Sequence, residues 1–212
     1  MTFRLIIVTV TLTLAICMTS CTPIFQLFYG IKTPKQLNDQ RIIQYSEKFN
    51  IPLTDNYKLD SSYVIFLTSL DTAKFKVEIK NHNQPLQALY YNGNGQLESF
   101  QINCYAGGFP NLHWDRDSIF TTFPPKEQAP IDNIIPLELL LKRLQPLPQT
   151  NSFLIKNYEY VIIVFWSRFM GRQSKRLIEV VQENCKLAKG YNVKIIYVNT
   201  DNLFVFTDNE NQ

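Results

Sequence analysis

The sequence predicts an α/β domain built around a largely buried sheet, and three observations carry that reading. Tyr158 to Trp166 (YEYVIIVFW) is nearly continuous in apolar and β-branched residues, the pattern of a central strand covered on both faces. The segment after it places Leu177, Val181, Cys185 and Ala188 at helical spacing, and Val193 to Val198 (VKIIYV) repeats the buried-strand pattern. Strand, helix and strand at this spacing form a βαβ unit, expected to be right-handed. Upstream, two β-rich runs flank Asn92-Gly93-Asn94-Gly95, a strong hairpin signal.

Taken in order, the chain opens with a short apolar stretch, Leu5 to Ile16, and Arg4 is the only charge before Lys32. Such a stretch fits the apolar core of a secretory signal better than a membrane span, which needs about 20 residues. Met18 to Cys21 (MTSC) resembles the lipobox of bacterial lipoproteins. Thr19 and Ser20 fit that pattern, and Met18 departs from the usual first residue. The resemblance implies cleavage before Cys21 and a diacylglycerol on its sulfur. The alternative is an uncleaved anchor helix running on to Gly30. Either way the protein is expected to be exported and held at a membrane of the bacterial cell envelope, facing the periplasm or in the outer membrane. The expected division is a signal peptide over 1–20, a lipidated tether over 21–35, and one domain over 36–212 with an N-terminal helical extension.

Within that domain, Gln36 to Phe49 reads as a helix with Leu37, Ile42, Tyr45 and Phe49 on one face and Pro52 beyond its end. Asp60 is placed to cap a second helix through Tyr63, Phe66, Leu67 and Leu70. Apolar and polar residues alternate in KFKVEIK, which predicts a strand over Phe75–Lys80. After the hairpin, Tyr105 to Ala129 is irregular, aromatic and proline-bearing, suited to a lid over the core or to a binding loop. Pro136 begins a helix predicted to run to Gln145 with Leu137, Leu140, Leu141 and Leu144 buried, and Gly190 is the expected cap of the long helix after Trp166.

Composition excludes several classes. The formal net charge is +3, and loss of Arg4 with a signal peptide brings it to +2, with basic residues scattered, so nucleic acid is not the expected partner. Fifteen Phe and 11 Tyr make the composition globular. If Cys21 is lipidated, Cys104 and Cys185 remain, either paired in an oxidising envelope or held as separate thiols. His113 to Asp117 (HWDRD) has superficial metal-ligand spacing, but His82 is the only other histidine, and an Asp-rich turn is the simpler reading. No phosphate loop, nucleophile elbow or zinc cysteine pattern occurs, so neither metal nor cofactor is expected.

VIIVFWSRFMGRQSKRLIEVV, followed by VKIIYVNTDN, resembles the core of the thioredoxin-like superfamily. In that family an apolar strand ends in a Phe-Trp-like pair and a Cys-Gly-Pro-Cys site opens a helix. Phe165-Trp166 match the strand end, Met170-Gly171-Arg172-Gln173 occupy the active-site positions, and Val198 to Asp201 match a later turn. The resemblance implies a three-layer sheet with helices on both faces. QPLQALYYNGNGQLESF resembles the family's hairpin, which makes Pro85 the candidate cis-proline and Pro136–Gln145 the helix that follows. The family places the hairpin after the βαβ unit, and too little chain follows Val198 for that. Two arrangements remain open: a permuted order with hairpin and helix first, or a hairpin in an N-terminal subdomain that is merely similar.

Thiol–disulfide exchange requires a thiolate. Met170 is a thioether and Gln173 an amide, so on this alignment the family's activity is absent from the turn. Arg168, Arg172, Lys175 and Arg176 lie in and after it, as a solvated basic face or as a contact for an anion or acidic partner near a helix start. The expectation is a non-catalytic envelope lipoprotein serving as a binding or scaffold module for an envelope protein or peptide. The alternative is a thiol–disulfide oxidoreductase or thiol sensor using Cys104 and Cys185.

Overall fold

The long apolar run becomes a central strand, Tyr160–Trp166, and its side chains divide between two cores. The computed structural model describes residues 30–102 and 114–205. In chain order the elements are α1 (Asp39–Lys48), β1 (Asn56–Leu59), α2 (Ser62–Ser69), α3 (Lys76–His82), β2 (Gln87–Asn92) and β3 (Leu97–Ile102). They continue with α4 (Leu137–Leu141), β4 (Leu144–Pro146), β5 (Tyr160–Trp166), α5 (Gly171–Cys185), β6 (Val193–Asn199) and α6 (Asp201–Phe204).

The strands form one mixed sheet in the order β3-β2-β5-β6-β1-β4. β5 runs parallel to β6, and β6 parallel to β1. The hairpin β2–β3 lies antiparallel on the other side of β5, with Gln87 opposite Phe165 and Asn92 opposite Tyr160. β5 therefore sits between its βαβ partner and the hairpin. Val161, Ile163 and Phe165 point into one core with Leu89, Tyr91, Phe100, Ile196 and residues of α2 and α4. Ile162, Val164 and Trp166 point into the other with Tyr90, Tyr197 and residues of α1 and α5. Alternation along a strand buried on both sides produces this division. The result is an α/β fold with helices on both faces of the sheet.

Three elements differ from the sequence reading. Phe75–Lys80 is not a strand; the chain is helical over Lys76–His82. Asp71 decides this, because its carboxylate accepts the Ala73 and Lys74 amides and its carbonyl accepts the Phe75 amide, starting a helical turn. The helix after Pro136 stops at Leu141, and Leu144 instead opens β4, pairing with Leu59. Gly190 (φ +86°) takes a left-handed conformation in the turn before β6, beyond the helix end at Cys185, and does not cap it directly. The second helix forms as expected, with the Asp60 carboxylate accepting the Ser62 amide at 2.9 Å.

The aromatic stretch behaves as a lid over its described part. Trp114, Phe120 and Ala129 are buried, and the Asn184 side-chain amide donates to the Phe120 and Thr122 carbonyls at 3.0 and 2.7 Å. Gln128 and Ala129 donate their amides to the Phe100 carbonyl, covering part of the β3 edge. Residues 1–29, His113 and Cys104 lie outside the described residues, and with them the signal, Cys21 and most of the tether. Among the described residues no helix is long and apolar enough to cross a membrane.

Candidate functional site

The joint where β5 passes into α5 is built almost wholly from contacts distant in sequence. Ser167 and Ser174 close it locally: the Ser167 amide donates to Ser174 Oγ at 3.0 Å, and that hydroxyl donates to the Ser167 carbonyl at 2.7 Å. The Met170 amide donates to Ser167 Oγ at 3.2 Å. Asp201, one residue beyond Thr200 at the end of β6, supplies the charge. One of its oxygens accepts the Arg168 amide at 2.6 Å and Asn199 Nδ2 at 2.8 Å, and the other accepts the Phe169 amide at 3.2 Å. Burial raises the Asp201 carboxyl above its ordinary range, while these hydrogen bonds oppose the shift. The turn amides thus already have an acceptor, and that acceptor is the protein's own carboxyl group.

Pro85 lies at the same end of the sheet. The Thr200 hydroxyl is 3.0 Å from the Pro85 carbonyl and 3.2 Å from the Trp166 carbonyl, and the Thr200 amide donates to Trp166 at 2.9 Å. Hairpin entry, strand end and turn meet there. The bond before Pro85 is nevertheless trans; among the described residues the cis peptide is Phe123–Pro124. What holds Pro85 at the joint is its carbonyl.

The N-terminal segment covers the joint. The Lys32 amide donates to the Phe169 carbonyl and the Arg168 guanidinium to the Thr33 carbonyl, both at 2.7 Å. The Asn202 side chain accepts the Leu37 amide at 2.6 Å and donates to the Leu37 carbonyl at 2.9 Å. Phe49, at the end of α1, sets its ring edge-on to Trp166 at 5.6 Å, and Trp114 Nε1 donates to the Gln173 carbonyl at 3.1 Å. Met170 is 7 % and Gln173 3 % exposed, so both side chains are interior. The helix start is not an open surface, and the amides of Arg168, Phe169 and Met170 are engaged by Asp201 and Ser167. Gly171 suits this crowding, since a Cβ there would meet the Phe49 ring at 3.3 Å. Arg172, Lys175 and Arg176 face outward, and Arg168 is half-buried.

Among the described residues Cys185 has no disulfide partner. Burial pushes its thiol up to about 12, which leaves almost no thiolate near neutral pH. Cys21 and Cys104 lie outside the described residues, and so does any pairing of Cys104 with Cys185. Among the described residues no group of three or more His, Cys, Asp or Glu is arranged to hold a metal ion.

Sequence reasoning missed a second polar cluster. His82, fully buried at the end of α3, places Nε2 3.0 Å from both Asp132 oxygens and stacks on Phe100 at 4.6 Å. Its carbonyl accepts the Tyr63 hydroxyl and the Gln87 amide. His82 and Asp132 are 50 residues apart, and no local signal pairs them. Asp132 and Glu98 also line a cavity of about 550 Å³ between the hairpin turn and the 131–136 segment. Glu98 is already bound by Asn92 Nδ2 at 2.8 Å and the Tyr160 hydroxyl at 3.0 Å. The His82–Asp132 contact ties α3 to that segment.

Comparison with family models, with curated proteins and with solved structures finds no match to this chain.

Proposed function

We propose that the chain is a non-catalytic lipoprotein of the bacterial cell envelope whose sheet is thioredoxin-like in permuted element order, and that it serves as a binding or scaffold module. Lipidation at Cys21 tethers it to a membrane, and its partner is an envelope protein or peptide. The sheet order supports the permuted reading: the hairpin lies antiparallel beside β5, opposite β6, although it comes first in the chain. Carrying the non-catalytic reading is the interior of the joint. Met170 and Gln173 have no sulfur able to exchange, and the chain's own N-terminal segment lies over them.

Two measurements test this. Insulin reduction and thiol oxidation by the purified mature protein are expected at background for wild type, Cys104→Ser and Cys185→Ser alike. Turnover that depends on either cysteine overturns the reading and restores the thiol-sensor alternative. Labelled palmitate fed to expressing bacteria is expected in the wild-type chain and not in Cys21→Ala; equal labelling of both removes the lipid anchor.

A further inference from the structure

We propose that the exposed basic face of α5, with Lys32 and Lys35 beside it, rests on anionic phospholipid headgroups of the membrane that holds the anchor; the inference rests on the lipidation of Cys21 proposed above. Arg172, Lys175 and Arg176 stand at i, i+3 and i+4 on the outer side of the first turns of α5, all exposed. The first turn carries no acidic residue. Cations at this end oppose the helix dipole, so local helix stability does not account for them. Lys175 has Glu179 at 3.8 Å, a pair half-exposed on both sides and therefore weak.

Where the tether leaves the domain decides which partner this face meets. The N-terminal segment is fixed over the joint by the Lys32, Thr33 and Leu37 contacts, and Gly30 packs on Arg172, with a Cβ there 3.5 Å from the Arg172 Nε. Eight residues lie between Cys21 and Gly30, nine steps of chain with a reach of at most about 30 Å even fully extended. A lipid on Cys21 therefore draws the chain toward the bilayer at the first turn of α5. An acidic protein has no comparable reason to approach here first. The screening length in physiological salt is about 8 Å, so the attraction acts only in contact and weakens as salt rises.

The test uses the lipidated chain reconstituted in vesicles of phosphatidylcholine, with or without phosphatidylglycerol. A photo-crosslinking residue is placed at Gln36, in the covering segment, or at Asn94, on the hairpin turn at the opposite end of β5; both positions are exposed. Crosslinking to lipid is expected from Gln36 only, and only with phosphatidylglycerol present. Lys175→Gln with Arg176→Gln, and separately Lys32→Gln with Lys35→Gln, should shift the domain off the surface by about fivefold per cation removed. Equal yields from the two positions, or from the two lipid mixtures, overturn the proposal. Mass measurement of Cys21 is read first. If no lipid is present the anchor reading fails, and flotation of the same protein decides the face alone. Flotation that requires phosphatidylglycerol and falls in the charge variants supports the face, and any other result overturns it.

Discussion

Replacing Asp201 with Ala removes the acceptor that joins the end of β6 to the turn before α5. Three hydrogen bonds are lost, and the Arg168 and Phe169 amides remain beneath the N-terminal segment without partners. An unmet buried donor costs about 1–3 kcal/mol, so two of them cost about 2–6 kcal/mol. Release of a desolvated carboxylate offsets part of this and brings the expected loss to about 3 kcal/mol. For a domain of this size that lowers Tm by about 6–12 °C. The assay is calorimetry, with near-ultraviolet circular dichroism to follow the Trp166 surroundings. Asp201→Asn adds a pH arm. Because burial raises the Asp201 pKa in the folded state, the folded protein holds this proton more tightly than the unfolded chain does. The stability contributed by Asp201 therefore grows as pH falls through the folded pKa, and levels off below the ordinary carboxylate range. Other carboxylates cancel in the comparison, so the Tm advantage of wild type over Asp201→Asn should widen from neutral pH to about pH 4. A loss under about 2 °C for Asp201→Ala, or an advantage that narrows on acidification, refutes this account of the joint.

Three further outcomes follow from the same contacts. Cys185 should resist a thiol reagent in the folded protein at neutral pH and react promptly in denaturant; fast labelling of the native state contradicts its burial and raised pKa. Asp132→Ala should cost about 1–3 kcal/mol in urea unfolding by leaving His82 Nε2 unmet, and adding His82→Leu should recover part of that loss. Asn202→Ala, which removes both bonds to Leu37, should speed tryptic cleavage after Lys32 and Lys35 in the otherwise folded protein; unchanged cleavage means the segment is held elsewhere.

β5, α5, β6 and the hairpin are legible in the sequence because each is long and strongly periodic, or marked by an Asn-Gly turn. α3 is not, because in KFKVEIK a period of two competes with a helix start that depends on one Asp71 carboxylate. β1 and β4 are too short to show alternation; β1 forms against the open edge of β6, and β4 against β1. At the site, residue types were readable and surroundings were not. Met170 and Gln173 mark a turn without thiol chemistry, yet nothing in FWSRFMGRQSKR shows that it is covered. The cover comes from Lys32, Leu37 and Phe49, and the Leu37–Asn202 contact spans 165 positions. Asp201 is equally silent, since its sequence role is one residue of an NTD turn.

In open α/β sheets the space beyond the carboxyl ends of parallel strands is where ligands usually bind, because helix starts and free amides converge there. In this chain β5 and β6 end at such a place, and Asp201, Ser167 and the segment from Gly30 to Leu37 occupy it. A carboxyl group on the turn amides makes an external anion redundant, and the covering segment denies access to a larger substrate. Under those conditions a thiolate at Met170 or Gln173 would be desolvated, which would raise its pKa. Cysteine would be a poor residue there even if it were restored. The absence of a thiol at Met170 and Gln173 and the presence of the cover are thus consistent with each other, and both suit a structural joint.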